Sequence, residues 1–467
     1  MDTGFLIGGR PGSRENDFMS WRGRGYSYRR LIGAIAEWHS RFDRLSLPAG
    51  AVVTVESDYT PNTTALLLAL LERDAIVAPV NRDGPAATAA EIAAVAPVWG
   101  SVGIDAADRW TISAGSSGPS GPSGPSGTAP RPPVHPLIAR LRGRGRPGLL
   151  LLTSGSSGRP KAVLHDADAL LARFRQPRPP LRMPAMLVFE HLGGLNTLFH
   201  TLATGGTLYA LPDRRPDTVC AAVARHRIEV LPTSPTFLQL MLLSRAHERH
   251  DLGSLSLITY GSEAMPQATL DRLNAALPGT RIKQTYGLIE VGAFPSHSRA
   301  RESLWLKLDV EHRVVDGVLQ LRTPAAMLGY LNAPSPFTAD GWFVTGDLVE
   351  CDGEYLRILG RASEVISVGG DKVFPQEVEA VIQELEWVRD VRVHGEPNAL
   401  MGAVVCARVR VDAPADPRHG AAEVKRHCRA RLPRHKVPVK VLVGSAGLPT
   451  TRGKKLRYVP PAAEASR

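Results

Sequence analysis

The chain has 467 residues, too many for one small core, so two or more domains are expected. Apolar residues make up 43% and charged residues 22%, an ordinary globular balance, and no run of eighteen apolar residues exists to form a helical membrane span. The formal net charge of +11 admits a nucleic acid, a membrane surface or a polyphosphate as partner. Arginines are scattered, aromatic residues are only 6%, and no nucleic-acid module is recognisable, so the excess reads as solvated surface charge with attraction for a polyphosphate ligand. Nothing at the N-terminus resembles a signal peptide, and Cys220, Cys351, Cys406 and Cys428 lack metal-ligand or redox spacing. Reduced, mostly buried thiols in a cytoplasmic protein are the expectation. Oligomeric state is not legible.

In chain order, apolar residues at helical intervals predict a helix over 28–42, with Leu31, Ile32, Ile35 and Ala36 on its inner face. A strand follows at 51–55, then an apolar buried helix at 63–71 and a second strand at 75–80. This alternation predicts an α/β architecture with a parallel or mixed sheet. Residues 115–133 are low-complexity Gly, Ser and Pro, which cannot build a core and read as a flexible surface loop. Strand and helix signals resume at 148 and continue to 359. Beyond 361 the rhythm restarts on a smaller scale. Pro375 opens a helix carrying Val378, Val381, Ile382 and Leu385, and Val405, Ala407, Val409 and Val411 alternate as a strand. Val424, Cys428 and Leu432 then share a helical face, and Val439, Val441 and Val443 alternate again. The predicted division is a large domain of mixed sheets and helices at 1–360 and a small α+β domain at 361–467.

The sharpest local signal is a buried strand, 149–152, feeding Thr153-Ser154-Gly155-Ser156-Ser157-Gly158-Arg159-Pro160-Lys161. Glycines let backbone N–H groups approach a polyphosphate, hydroxyls donate hydrogen bonds, and Lys161 adds charge. The chain carries its own control. Gly-Ser-Ser-Gly also occurs at 115–118, inside the low-complexity tract, where it has no strand before it and no lysine after it. The loop is not of the Gly-x-x-x-x-Gly-Lys-Ser/Thr type, and Pro160 argues against a helix beginning at Lys161.

This loop resembles that of the adenylate-forming ligases: acyl-CoA synthetases, adenylation domains of nonribosomal peptide synthetases, and luciferases. Further stretches match in the family's order, over roughly 28–457. Phe189-Glu190-His191-Leu192-Gly193-Gly194 resembles the segment lining the acyl pocket. Gly261-Ser262-Glu263-Ala264-Met265-Pro266 resembles the loop between that pocket and the adenine. In Gln284-Thr285-Tyr286-Gly287-Leu288-Ile289-Glu290, the resemblance makes Tyr286 pack on adenine and Glu290 help hold Mg²⁺. In Gly341-Trp342-Phe343-Val344-Thr345-Gly346-Asp347, it makes Asp347 bind the ribose hydroxyls. Gly360-Arg361-Ala362-Ser363-Glu364 and Gly369-Gly370 resemble the hinge and the thiol-channel loop, and Gly453-Lys454 the segment bearing the mobile catalytic lysine.

The resemblance implies ATP and Mg²⁺ as cofactors and a small-molecule acid as substrate. Coenzyme A, or phosphopantetheine on an acyl or peptidyl carrier protein, is the implied acceptor. Lys161, Glu290 and Lys454 would offset charge where a carboxylate attacks the α-phosphorus. The small domain would then swing about Ser363, withdraw Lys454 and bring Gly369–Gly370 to the thiol channel.

Two positions depart from the pattern. Ile289 stands where the family has Thr or Ser, and Ser363 where it has Asp or Lys. The first leaves room for an enzyme that uses its adenylate differently, such as a nitrite-activating, diazo-forming ligase. A non-catalytic nucleotide-binding homologue is the third reading, against which Lys161, Glu290, Asp347, Arg361 and Lys454 all stand. His191, in place of an Asp that would hold an ammonium group, disfavours amino acids as substrates.

Overall fold

The computed structural model of the chain describes residues 1–7, 15–82, 84, 87–115, 134–153, 160–411, 417–445, 450–451 and 454–455, with backbone alone at 87, 450–451 and 454–455. The tract 116–133 and the phosphate-loop residues 154–159 lie outside the described residues.

A seven-stranded sheet forms the centre of the large domain. Its order is Gly329–Tyr330, Lys161–Asp166, Gly148–Thr153, Ile76–Asn81, Val52–Ser57, Val98–Ile104, Trp110–Ala114. The strands Gly148–Thr153, Ile76–Asn81, Val52–Ser57 and Val98–Ile104 run parallel. The uninterrupted leucines 149–152 now have a reason. Side chains alternate across a strand, so Leu149 and Leu151 enter one hydrophobic cluster while Leu150 and Leu152 enter another on the opposite face. The helix Pro61–Glu72 covers the first face. Thr60 caps it by accepting from Thr63 N–H at 3.1 Å, Pro61 suits its first turn, and residues 65–71 are fully buried. Helix Tyr28–Arg44 lies outside it, burying Tyr28, Leu31, Ile35, Trp38 and Phe42. Both helices and both predicted strands exist; the helices and the first strand run longer than expected, and the second strand is shifted by one residue.

A three-stranded parallel sheet (Val230–Thr233, Leu257–Tyr260, Arg281–Gln284) packs on helices Pro216–His226, Pro235–Leu243 and Gln267–Ala276 around its own core. A six-stranded antiparallel sheet follows, built from Ser296–Ser298, Leu306–Leu308, Tyr355–Arg361, Phe343–Asp352, Val318–Arg322 and Glu311–Val315. A four-stranded sheet and the short hairpin Tyr286–Leu288/Gly292–Phe294 complete the large domain.

After Arg361 a 3₁₀ turn, Ala362–Glu364, leads into the small domain. There Asp371–Val373, Ile366–Val368, Gly402–Arg410, Asp390–Asn398 and Lys440–Gly444 form one sheet, covered by helices Pro375–Ile382 and Pro417–Arg429. The architecture is the expected α/β chain with a large first domain and a smaller α+β second one. Two periodic readings run past their elements: Leu385 and Leu432 lie beyond their helices, and both still pack on the core. Val439 precedes its strand and is 56% exposed, whereas Val441 is buried. Three of the four free cysteines are buried and Cys351 is exposed. Among the described residues, no helix is long and apolar enough to cross a membrane.

Candidate active site

The site gathers at the carboxyl ends of parallel strands, where such sheets open into a crevice. Thr153 ends one strand, residues 261–263 follow Leu257–Tyr260, and Thr285 follows Arg281–Gln284. Thr153 and Lys161 face each other in antiparallel register, so the two residues on either side of 154–160 are set side by side by the sheet. Lys161 begins a strand, and no helix starts there. Asn332 holds this end of the loop: its Oδ1 accepts from Ala162 N–H at 2.8 Å and its Nδ2 donates to the Pro160 carbonyl at 3.0 Å.

Tyr330 stands beside it because Gly329–Tyr330 pairs with Leu164 and Val163. The Lys161 ammonium lies over the Tyr330 ring, 5.1 Å from its centroid. The Tyr330 hydroxyl donates to Glu290 Oε1 at 2.8 Å. Burial first, then Glu290, pushes the Tyr330 phenol up, so it remains a donor. Lys161, Tyr330 and Glu290 thus form a line from the phosphate loop to the predicted metal-holding carboxylate. Sequence reasoning missed Tyr330 and Asn332, and no local sequence signal marks either of them.

A second constellation adjoins it. Asp347 and Arg361 are direct cross-strand partners. Asp347 Oδ1 receives Arg361 Nε at 2.8 Å, and Asp347 Oδ2 receives the Tyr286 hydroxyl at 2.5 Å. Thr345 supports both: its hydroxyl accepts from Asp347 N–H at 3.0 Å, and its carbonyl accepts from Arg361 Nη1 at 2.6 Å. Burial first, then the Asp347 charge, pushes the Tyr286 phenol far up. Burial works against the Arg361 cation, but Asp347, Tyr286, Glu290 and Glu364 outweigh it and hold the guanidinium charged. Glu290 therefore acts on both constellations.

Ser262 takes φ +69°, a left-handed conformation unusual for a side-chain-bearing residue and common at working loops. Glu263 Oε2 accepts from Thr236 N–H at 3.2 Å and from the Thr236 hydroxyl at 2.5 Å, which ties this loop to the start of helix Pro235–Leu243. An added Cβ at Gly261 would lie 2.8 Å from Thr285 Oγ1, and one at Gly287 would meet the Ala293 backbone at 2.7 Å. His191 caps helix Leu192–Ala203 in extended conformation and is one-fifth exposed. Glu190 beside it is buried and accepts from Asn81 N–H at 2.9 Å. Gly193 lies in the first turn of that helix. Gly194 must be glycine, since a Cβ there would fall 2.1 Å from the Val188 carbonyl and 2.4 Å from the Tyr59 hydroxyl.

Ile289 is wedged between two hydrophobic clusters, and its carbonyl accepts from His165 Nε2 at 2.6 Å. Burial pushes His165 down to about 4, against the pull of Ile289, Glu290 and Ala325, so a neutral ring supports this loop.

In the small domain, Gly369 and Gly370 form the two-residue turn of hairpin Ile366–Val368/Asp371–Val373, with φ of +61° and +95°. Ser363 sits in the 3₁₀ turn after Arg361. Lys454 starts the short strand Lys454–Lys455, opposite Thr451; its side chain lies outside the described residues, as do Ser154, Gly155, Ser156, Ser157 and Gly158. Among the described residues, no cluster of three potential metal ligands exists. Glu290, a single carboxylate beside a phosphate loop, fits Mg²⁺, which commonly takes one or two carboxylates and completes its shell with phosphates and water.

The model of the family described as AMP-binding enzyme matches residues 12–331, and that of the AMP-binding enzyme C-terminal domain matches 377–455. The chain belongs to the AMP-binding enzyme family. Relatives within it include an indoleacetate–CoA ligase of Aromatoleum aromaticum, 30% identical over 68% of this chain and 66% of the relative. A 2-succinylbenzoate–CoA ligase of Enterococcus faecalis is 26% identical over 66% of this chain and 68% of the relative. The aligned region spans about half to two thirds of the curated relatives. The fold extends further. ATP-bound MatB of Rhodopseudomonas palustris superposes with TM-score 0.77 at 22% identity, over 98% of this chain and 97% of that one. The anthranilate CoA ligase AuaEII superposes with TM-score 0.78 at 18% identity, over 97% and 95%.

Proposed function

We propose that this AMP-binding enzyme activates a carboxylic acid, acyl or aryl, as its acyl-AMP with release of pyrophosphate, and passes the acyl group to a thiol. The observation that carries this reading is the junction of two anion-handling groups. Lys161, Tyr330 and Glu290 adjoin Tyr286, Asp347 and Arg361, so a phosphate end and a ribose end face one crevice.

The chemistry follows from charge. A carboxylate and the α-phosphate repel each other, and cations fixed at the meeting point lower the barrier without reorganising. Lys161, with hydroxyls and N–H groups of residues 153–158, would take the leaving phosphates. Asp347 presents a carboxylate to the two ribose hydroxyls, with Arg361 holding its orientation. Tyr286 and residues 261–263 would flank the adenine. Glu290 would hold Mg²⁺, which supplies charge neutralisation to the phosphates. His191, Gly193 and Gly261 border the acid.

Lys454 would approach from the small domain for adenylation. We place the domain junction at 360/361 and the swing at Ser363, after which Gly369–Gly370 would line the thiol path. Coenzyme A is the acceptor we favour, because the relatives named above are CoA ligases; carrier-bound pantetheine presents the same thiol. Buried, unpaired thiols at Cys220, Cys406 and Cys428 support a cytoplasmic setting.

ATP–pyrophosphate exchange across fatty acids, aryl acids, amino acids and nitrite tests the reading. Exchange driven by an acyl or aryl acid is expected. Exchange with nitrite alone would replace the substrate class, and no exchange with any of them would remove the activity.

A further inference from the structure

A recess of about 670 Å³ lies outside the nucleotide crevice, between residues 278–283 and 296–301. That volume is in the range that holds small organic molecules, and the chemistry proposed above does not use it.

The strand Arg281–Gln284 forms one wall. It is the outer strand of its three-stranded sheet, and no strand pairs with its other edge. Arg281 and Thr285 spend their N–H groups on the Ser256 and Tyr260 carbonyls, at 3.1 and 2.7 Å. Alternate residues of a parallel strand turn to opposite sides, so Ile282 turns its N–H to the open edge. Ser296 closes the far end of that edge, where its hydroxyl donates to the Gln284 carbonyl.

Side chains two apart share one face of a strand. Ile282 enters the core of its sheet, so Arg281 and Lys283 take the other face, and both line the recess. Among the described residues, neither cation has a carboxylate within ion-pair distance or an acceptor for its side-chain nitrogens. Arg301 is a third cation of the lining. Its guanidinium donates to the Leu277 and Pro278 carbonyls at 2.7 and 2.6 Å and to Asn274 Oδ1 at 2.8 Å, so it is fixed in place without a carboxylate. Asp309 is the acid whose charge reaches Lys283, and the exposed His297 engages it at 3.0 Å. Arg178 adds a further positive field. Burial first, then Arg281, pushes the Lys283 ammonium down, the strain of a half-buried cation among cations.

The lining therefore holds more positive charge than one carboxylate offsets, and a ligand with two or more negative charges matches it. Lysine meets a phosphate as a point charge and arginine meets it as a fork, and an edge N–H adds a backbone donor. We propose that this recess is a second anion site, separate from the nucleotide crevice, which takes a small organic polyphosphate such as a sugar or nucleoside bisphosphate. Arg281 and Lys283 would hold its phosphates, with Ile282 N–H donating to one of them. Thr285 and Tyr286 enter the crevice just beyond Lys283, so the two sites share a strand but no residue. Acid activation is not assumed.

The test is isothermal titration of the intact protein with inorganic phosphate, fructose bisphosphate and adenosine bisphosphate, each with the crevice held full by excess AMP. One of the bisphosphates should bind once per chain, at least about tenfold more tightly than inorganic phosphate, and should weaken as salt rises. Whichever binds distinguishes the sugar from the nucleoside source. Arg281→Gln and Lys283→Gln should each weaken binding about tenfold or more, and Lys283→Arg should keep most of it. KM for ATP in pyrophosphate exchange should stay within about twofold in all three variants. Thermal melting supplies a second readout, with the bisphosphate stabilising the intact protein and the Arg form but not the Gln forms. No binding of either bisphosphate beside AMP, equally tight inorganic phosphate, or affinity unchanged in both Gln variants overturns the proposal and leaves adenylation standing.

Discussion

Asp347 is shared between the Tyr286 hydroxyl on one carboxylate oxygen and Arg361 on the other. The carboxylate is buried, so each donor matters for orientation as well as energy. Tyr286→Phe removes a hydrogen bond to a charged group, worth about 1.5–3 kcal/mol. We expect KM for ATP to rise about tenfold or more with a smaller change in kcat, because the ring stays and the carboxylate loses one restraint. Steady-state kinetics with varied ATP reads this; an unchanged KM would detach Tyr286 from nucleotide binding.

Asp347→Ala should cost more in stability than Tyr286→Phe. It removes the acceptor of both the Tyr286 hydroxyl and Arg361; the Arg361 side chain is 40% exposed, so solvent screens part of the ion-pair loss, which is on the order of 1–3 kcal/mol. Denaturant unfolding should show a lower midpoint at unchanged slope. The double variant should cost less than the sum of the two, because Tyr286 and Arg361 act through the same side chain.

Ile289→Thr should raise the adenylation rate by roughly tenfold or more, if the new hydroxyl reaches the α-phosphate with a charged-group hydrogen bond. Ile289 also packs on two hydrophobic clusters. Threonine keeps one branch of that packing and serine keeps none, so Thr should outperform Ser and both should melt lower. Pyrophosphate exchange that does not change in either variant would sink the idea.

Lys454→Ala should abolish adenylation yet leave thioester formation from preformed acyl-AMP nearly intact, since only the first half-reaction joins two anions. The two half-reactions can be measured separately. Full adenylation in this variant would move the role to another residue.

Stability should fall as pH drops from about 6.5 to 4. His165 is neutral in the fold because burial pushes it down to about 4, whereas the unfolded chain takes up a proton near 6.5. The unfolded state therefore binds more protons across that window, and its contribution, on the order of 3 kcal/mol, is present above 6.5 and lost towards 4. His165→Gln should flatten the unfolding midpoint between pH 7 and 4.5, and an equally steep dependence would assign the loss elsewhere.

Much of this site was legible from residues that must be particular types. Lys161 after its Gly-Ser loop, Asp347 after Thr345-Gly346, and Glu290 after Tyr286-Gly287 declare themselves because their neighbours are constrained. The helix 28–42 and the leucines 149–152 were legible because their periods are those of one buried face and of two. What remained hidden depends on chain distance. Tyr330 reaches Glu290 across forty positions through a two-residue strand, and no local pattern announces that pairing. Arg173 looked like one more surface arginine, because only the packed fold turns it towards Ala293.

Arg361 has a practical consequence for anyone cutting this protein. It is the last residue of strand Tyr355–Arg361, bonded across the sheet to Asp347, and the 3₁₀ turn begins only at Ala362. A fusion or domain exchange spliced just before it would leave the recipient's Asp347 dependent on whatever residue the donor supplies at that position. A splice after Glu364 would transplant the small domain as a cassette and leave the Asp347–Arg361 pair with its original host.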